Sequence, residues 1–144
     1  MSTAPTVERT GHCLCGRIRF HTIGEPRLLT LCDCASCRRA AGAAGVAWST
    51  WRPEQVEWSG PRPSEYASSP GRQRGFCDRC GSTVSWRSEA DADHLDLAIA
   101  LFDDAAGLAP TERIWGADRL PWQDLEADLP RHPGWRKTSE QEGN

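Results

Sequence analysis

Three thiols fall within six residues of this chain, Cys32-Asp33-Cys34-Ala35-Ser36-Cys37. Sulfurs this close along the backbone must face one another or a common partner, and that demand restricts the fold more than any other stretch. Two thiols precede the cluster as Cys13-Leu14-Cys15, and two follow as Cys77-Asp78-Arg79-Cys80. The total of seven is odd, and every cysteine sits in a tight cluster, so a disulfide framework with its scattered spacings is a poor description. Buried reduced cysteines packing as small hydrophobes would not repeat CxC, CxCxxC and CxxC. Metal thiolates are the better reading.

The surroundings agree. Residues Met1–Gly11 lack the charged-then-apolar layout of a secretory leader, so a cytoplasmic protein with reduced thiols is expected. No apolar run approaches the length that spans a bilayer, and a net charge of -3 offers no basic surface for nucleic acid or anionic lipid. At 144 residues the chain suits one domain. We expect a flexible N-terminal arm over 1–10, the metal-binding domain over 11–135 and a polar tail over 136–144.

Along the domain the pattern is that of short strands. Ile18 and Phe20 alternate with Arg17, Arg19 and His21 in the period of a half-buried strand. Leu28–Leu31 reads as a strand delivering Cys32 and Cys34, whose two-residue spacing puts both thiols on one face of an extended chain. Ser36 is the expected N-cap of a short helix over Cys37–Ala41, closed by Gly42. Its start would favour thiolate over thiol, with Arg38 and Arg39 adding positive charge. Val46–Trp51 and Val56–Trp58 read as strands, with weaker candidates at Arg62–Tyr66 and Gln73–Phe76 around a Ser68-Ser69-Pro70-Gly71 turn. Phe76–Ser82 is a knuckle sequence, in which Gly81 can take the positive φ that turns amides toward sulfur. Thr83–Trp86 leaves it as a strand. His94–Leu101 alternates cleanly, predicting a strand with Leu95, Leu97, Ile99 and Leu101 inward. Beyond Phe102 the chain is expected to be irregular. The seven tryptophans are read chiefly as core, and His12, His21, His94 and His132 as structural or exposed.

Seven thiolates divide naturally into four and three, because structural zinc takes four protein ligands whereas catalytic zinc takes three and keeps a position open. Cys13, Cys15, Cys77 and Cys80 would then form the closed site, and Cys32, Cys34 and Cys37 the open one. A rival division pairs Cys34 and Cys37 with Cys77 and Cys80 and leaves Cys13, Cys15 and Cys32; spacing does not exclude it. Iron could also fill a four-thiolate site.

The strings GHCLCGRIRF, CDCASCRRAAGA, FCDRCGSTV and ERIWGADRLPW, with DLPR close behind, resemble the glutathione-dependent formaldehyde-activating enzyme family, which includes centromere protein V. The resemblance runs from about Gly11 to Pro130. It implies a mainly β, single-domain, β-tent-like fold with short helical turns. It also implies a structural zinc on Cys13, Cys15, Cys77 and Cys80 and a catalytic zinc on Cys32, Cys34 and Cys37, two per chain. The implied activity is that of a carbon–sulfur lyase making or breaking S-(hydroxymethyl)glutathione from glutathione and formaldehyde. Arg38 and Arg39 are candidates to meet the carboxylates of the thiol substrate. Three other readings stand beside it: a non-catalytic zinc module that binds a protein, a lyase using a different thiol, and a metal-sensing or redox site at the unpaired trio. Oligomeric state is not readable from the residues.

Overall fold

The computed structural model describes residues 4–136. Ten strands and one α-helix are present among them: β1 (Glu8–His12), β2 (Arg19–Ile23), β3 (Leu28–Cys32), α1 (Ala35–Ala41), β4 (Val46–Trp51), β5 (Val56–Trp58), β6 (Ser64–Ser69), β7 (Arg72–Phe76), β8 (Thr83–Ser88), β9 (Asp91–Ala98) and β10 (Glu112–Ile114). The fold is mainly β, with short 3-10 turns, as expected of a β-tent-like chain. No helix among the described residues is long and apolar enough to cross a membrane.

The strands form two sheets. A small antiparallel sheet has the order β1-β2-β5, and a large one has the order β10-β3-β4-β9-β8-β7-β6. Because side chains alternate along a strand, the large sheet has two distinct faces. One carries Trp51, Leu95 and Leu97, which join Phe20 and Val56 of the small sheet, Ile99, Phe102 and Leu108 in the main core. Phe20 meets Phe102 edge-on at 4.9 Å between ring centroids, and Trp51 stacks on Phe102 at 5.9 Å. Trp51 is wholly buried, with its indole N–H donating to Ser49 Oγ at 2.8 Å. Truncating such an aromatic to alanine costs about 3–5 kcal/mol, so Trp51→Ala should severely weaken this layer. The opposite face carries Cys32, Val46, Trp48 and Ala98, packed with Cys37 of α1. That face positions the site.

Several elements differ in detail from the sequence reading. β1 starts at Glu8, ahead of Gly11, where ordered structure was expected to begin. Its pairing with β2 from Glu8↔Ile23 to His12↔Arg19 supplies the hydrogen bonds that a polar strand shows no sign of in its pattern. α1 is capped by Cys34 and not by Ser36, because the Cys37 N–H donates to Cys34 Sγ at 3.3 Å. Gly42 closes the helix at φ 62, as expected. β9 stops at Ala98 and Ile99–Leu101 turns as a 3-10 helix, so Ile99 is buried by the turn and Leu101 only partly. β10, all of whose residues are exposed, escaped detection because it has no alternation to read. It lies parallel to β3, with Ile114 opposite Cys32. The expected tail over 136–144 lies, apart from Arg136, outside the described residues.

Candidate metal centres

The seven sulfurs gather into two groups, Cys13, Cys15, Cys77 and Cys80 in one and Cys32, Cys34 and Cys37 in the other, with ligand atoms in each lying within 4.8 Å of one another. The rival division, which needed Cys34 and Cys37 beside Cys77 and Cys80, is not the arrangement adopted. All seven are free thiols.

The quartet joins two loops that are far apart in sequence. Cys13 and Cys15 sit on the turn between β1 and β2, and Cys77 and Cys80 on the knuckle between β7 and β8. The Cys13–Cys15 and Cys15–Cys77 sulfur separations are 3.6 and 3.7 Å. Four sulfurs placed tetrahedrally at zinc–thiolate bond length stand about 3.8 Å apart, so the spacing suits a metal held by four thiolates. Donors already surround them. The Ile18 N–H reaches Cys13 Sγ at 3.3 Å, Arg79 Nε reaches Cys15 Sγ at 3.2 Å, and Ser82 Oγ lies 3.1 Å from Cys80 Sγ. Side-chain and backbone bonds from Ser82 bring the Cys80 thiol down to about 5. The Arg17 backbone N–H lowers Cys15, and burial pushes Cys77 up. Gly81 at φ 78 sends its N–H to Cys77 O at 2.8 Å, closing the knuckle. Ile18 and Val84 pack around Cys13 and Cys77, which are fully buried.

The trio is built locally. Cys32 ends β3, Cys34 caps α1, and Cys37 lies on the first turn of α1 and packs on Trp48. Cys32 and Cys37 are buried and Cys34 is half-buried. The Cys32 thiol, held against the Cys37 sulfur, brings Cys37 down to about 5; the Trp48 indole N–H and Arg74 act in the same direction. That same contact, with burial, pushes Cys32 well up. The two shifts run in opposite directions, and the contact between the sulfurs leads both. A cation would find three sulfurs already converged, and the Cys37 thiol is the one most easily ionised.

The quartet and the trio differ most in what lies beside them. A cleft of about 510 Å³ opens directly on Cys32, Cys34 and Cys37. Trp48, Trp86 and Trp115 supply apolar wall, Arg72 and Arg74 supply charge, and Ser68 and Ser69 supply hydroxyls. Arg74 Nη1 approaches Cys37 Sγ at 3.6 Å, while its buried Nε has no partner. Neither Arg72 nor Arg74 forms an ion pair with a carboxylate among the described residues. Arg38 and Arg39 are elsewhere. They line a separate groove with Gly42–Ala44, Leu120 and Trp122.

Asp33 is fully buried between two of the cleft cysteines. Its Oδ2 lies 3.2 Å from Arg113 Nη1, its Oδ1 accepts from Gln123 Nε2 at 3.3 Å, and its backbone N–H donates to Ile114 O at 3.1 Å. Gln123 Nε2 also reaches Ala44 O at 3.3 Å. A Cβ at Gly45 would stand 3.0 Å from Asp33 Oδ1, so this loop closes tightly over the carboxylate. Asp33 therefore fastens the segment 112–123 across the cysteine loop. That segment presents Ile114, Trp115 and Asp118 to the cleft. Trp115 is 65% exposed and left-handed at φ 55, a backbone state that a bulky side chain takes only when its surroundings impose it.

Reading from sequence did not single out Arg72, Arg74 or Trp115, and it took His94 for structural or exposed. Arg72 and Arg74 occupy alternate positions of β7, and that spacing was the available signal. His12 and Asp103 approach to 3.6 Å at the surface, His21 lies between Glu8 and Glu57, and His132 is exposed. His94 alone of the four borders the cysteine cleft.

Comparison with known proteins adds an independent line. Residues 8–118 match the family described as "Glutathione-dependent formaldehyde-activating enzyme". A Schizosaccharomyces pombe protein named as an uncharacterized lyase is 36% identical over 78 residues, 54% of this chain and 56% of that protein. The matched segment is thus little more than half the length of that relative. Among solved structures, a Rhodobacter sphaeroides protein superposes with a TM-score of 0.55 at 20% identity, over 72% of this chain and 98% of the other. This likeness is one of fold.

Proposed function

Because the chain belongs to the glutathione-dependent formaldehyde-activating enzyme family, we propose that it joins a thiol to the carbonyl carbon of a small aldehyde, and releases both in reverse, at the three-cysteine cleft. The reaction class is that of a carbon–sulfur lyase, with S-(hydroxymethyl)glutathione as the reference adduct and the cytoplasm as its place of work. One observation carries the reading: three convergent sulfurs face a cleft large enough for a small thiol, whereas the other four complete a coordination shell among themselves. We assign zinc to both centres, since all-thiolate sets of three and four at this spacing suit a soft tetrahedral ion. Bound at the trio, zinc would hold a thiol as thiolate near neutral pH and polarise an aldehyde oxygen.

The chain's own residues do the rest. Cys32, Cys34 and Cys37 fix the reacting position, and the Cys37 N–H donating to Cys34 Sγ at 3.3 Å orients the least buried of the three sulfurs. Arg72 and Arg74 attract the carboxylates of an acidic thiol such as glutathione, Arg74 from beside the sulfurs. Arg38 and Arg39 add charge from the far side of α1, where only an extended ligand would meet them directly. Trp48, Trp86 and Trp115 exclude water from the reacting atoms.

The test is metal content together with turnover. Wild type should hold two zinc ions per chain and convert formaldehyde only with a thiol present. Cys34→Ser should hold one and convert none. Two ions with no thiol-dependent chemistry, tried across several thiols, would refute the enzyme reading.

A further inference from the structure

The cleft face of the large sheet also carries a row of polar side chains outside the two cysteine groups. Thr50 on β4 lies opposite Asp96 on β9, which lies opposite Trp86 on β8. The Thr50 hydroxyl donates to Asp96 Oδ1 at 2.6 Å. Asp96 Oδ2 stands 3.0 Å from His94 Nε2. His94 and Asp96 are two apart on one strand, so they share a face. The His94 ring meets Trp86 edge-on at 5.5 Å and 81°. Histidine, aspartate and Trp86 all border the cavity that holds Cys32, Cys34 and Cys37. Side-chain exposures of 26% and 14% place His94 and Asp96 out of bulk water but within reach of a cleft ligand. Nε2 is buried and meets Asp96 Oδ2 as a close ion pair rather than in hydrogen-bond geometry, and the ring borders the cleft in which a ligand's proton would be exchanged.

A purely structural pair has no need of this arrangement. A sheet position half-covered by Trp86 is filled more cheaply by an apolar residue than by an imidazole whose carboxylate partner is itself anchored by a threonine. The row instead has the form of a positioned acid–base group, in which a carboxylate fixes the ring and favours imidazolium.

We propose that His94, oriented by Asp96, is the proton-transfer group of the thiol–aldehyde reaction at the three-cysteine cleft. The inference rests on the function proposed above. Addition needs one proton moved and no redox partner. The thiol gives up its S–H proton to the His94 ring, and the sulfur lone pair forms the C–S bond. The carbonyl π pair passes to oxygen, and His94 returns the proton to that oxygen, giving the hydroxyl. Cleavage runs the same steps backward. Asp96 positions the ring, and Thr50 positions Asp96.

The charges around the ring set when it can act. Asp96 and Asp91 on its own strand raise its affinity for a proton, and Arg27 ahead of β3 opposes them. Arg72 and Arg74 of β7 and Asp118 after β10 border the same cleft. Glu65 and Arg87, on the other side of β8, neutralise one another at 2.6 Å.

The experiment uses the full metal-loaded chain. Exchange between formaldehyde and the glutathione adduct is followed by NMR across pH, while the His94 imidazole resonance is titrated in wild type. His94→Gln should lower kcat about 100-fold with KM little changed, and added imidazole should restore part of the rate to His94→Gly. Wild type should show a rate limb whose midpoint coincides with the His94 titration, and Asp96→Asn should move both to lower pH. An active wild type with His94→Gln within twofold in kcat, at equal metal content, would overturn the proposal and leave the proposed function standing. Wild type without thiol-dependent exchange would overturn both. Should His94→Gln not fold, a rate limb that fails to follow the His94 titration or the Asp96→Asn shift overturns it equally.

Discussion

The two cysteine groups offer a metal the same donor, and we propose that they serve opposite ends. The quartet takes its sulfurs from two loops about sixty residues apart, Cys13 and Cys15 against Cys77 and Cys80, buries two of them completely, and saturates them with donors from Ile18, Arg79 and Ser82. It crosslinks the small sheet to the large one. The trio takes its sulfurs from one strand end and one helix turn, crosslinks nothing distant, and opens on a cleft whose arginines have no carboxylate partner among the described residues. Long-range ligands build a fold, and short-range ligands beside a cleft build a reactive position. Metal at the first should be tied to folding, and metal at the second to chemistry.

The largest expected effect separates the centres directly. Cys77→Ser should abolish the cooperative thermal transition, because a structural zinc at the quartet would contribute about 10 kcal/mol or more of apparent folding free energy and a domain has only about 5–15 in all. Cys34→Ser should melt within a few degrees of wild type and be inactive. Circular dichroism melts with zinc analysis decide this; a folded Cys77→Ser beside an unfolded Cys34→Ser would reverse the assignment.

Next in size is the latch over the trio. Asp33→Ala leaves Arg113 and Gln123 without their buried partner and should cost about 1–3 kcal/mol in urea unfolding. It should also loosen Trp115, read as a fluorescence change, and weaken zinc retention at the trio alone. Equal loss of both ions would mean that Asp33 supports the whole fold and not one centre.

A smaller effect concerns substrate charge. Arg74→Ala should raise KM for glutathione about 10-fold, from loss of charge-assisted hydrogen bonds, with little effect for a neutral thiol. Arg38→Ala and Arg39→Ala, facing the other groove, should change KM about 2-fold at most. Equal effects would place the carboxylates on the helix side.

The smallest expected effect is a pH dependence of stability. The Asp96 carboxylate, 3.0 Å away, holds the His94 imidazole above its ordinary value near 6.5. A raised value means that the folded state binds the proton more tightly, so the stabilisation is complete below about pH 6.5 and fades as pH rises through the higher folded value. Asp96→Asn should therefore lose most stability at pH 6 and least at pH 9, measured as the difference in urea midpoints from wild type.

Most of this was legible where spacing carries physics. Cysteine clusters a few residues apart announced the candidate ligands, period-two alternation located β2 and β9, and Gly42 and Gly81 marked turns that require positive φ. The cleft was less legible, because its walls come from side chains far apart in sequence. Trp115 and Asp118 reach the trio only because β10 pairs with β3, and β10 has no alternation to betray it. Asp33 stands between two cysteines in plain view, yet its partners Arg113 and Gln123 lie 80 and 90 residues on. His94 was visible only as one polar member of an alternating strand, and the role we propose for it depends on the Thr50–Asp96 pairing that the sheet register creates.

Cobalt substitution tests the contrast between a closed quartet and an open trio most directly. The protein reconstituted with two equivalents of Co(II) should show thiolate charge-transfer and ligand-field bands from two centres. Added glutathione should alter the bands of one centre only, the one missing in Cys34→Ser. Spectra from two saturated centres, neither changed by glutathione, would contradict the account.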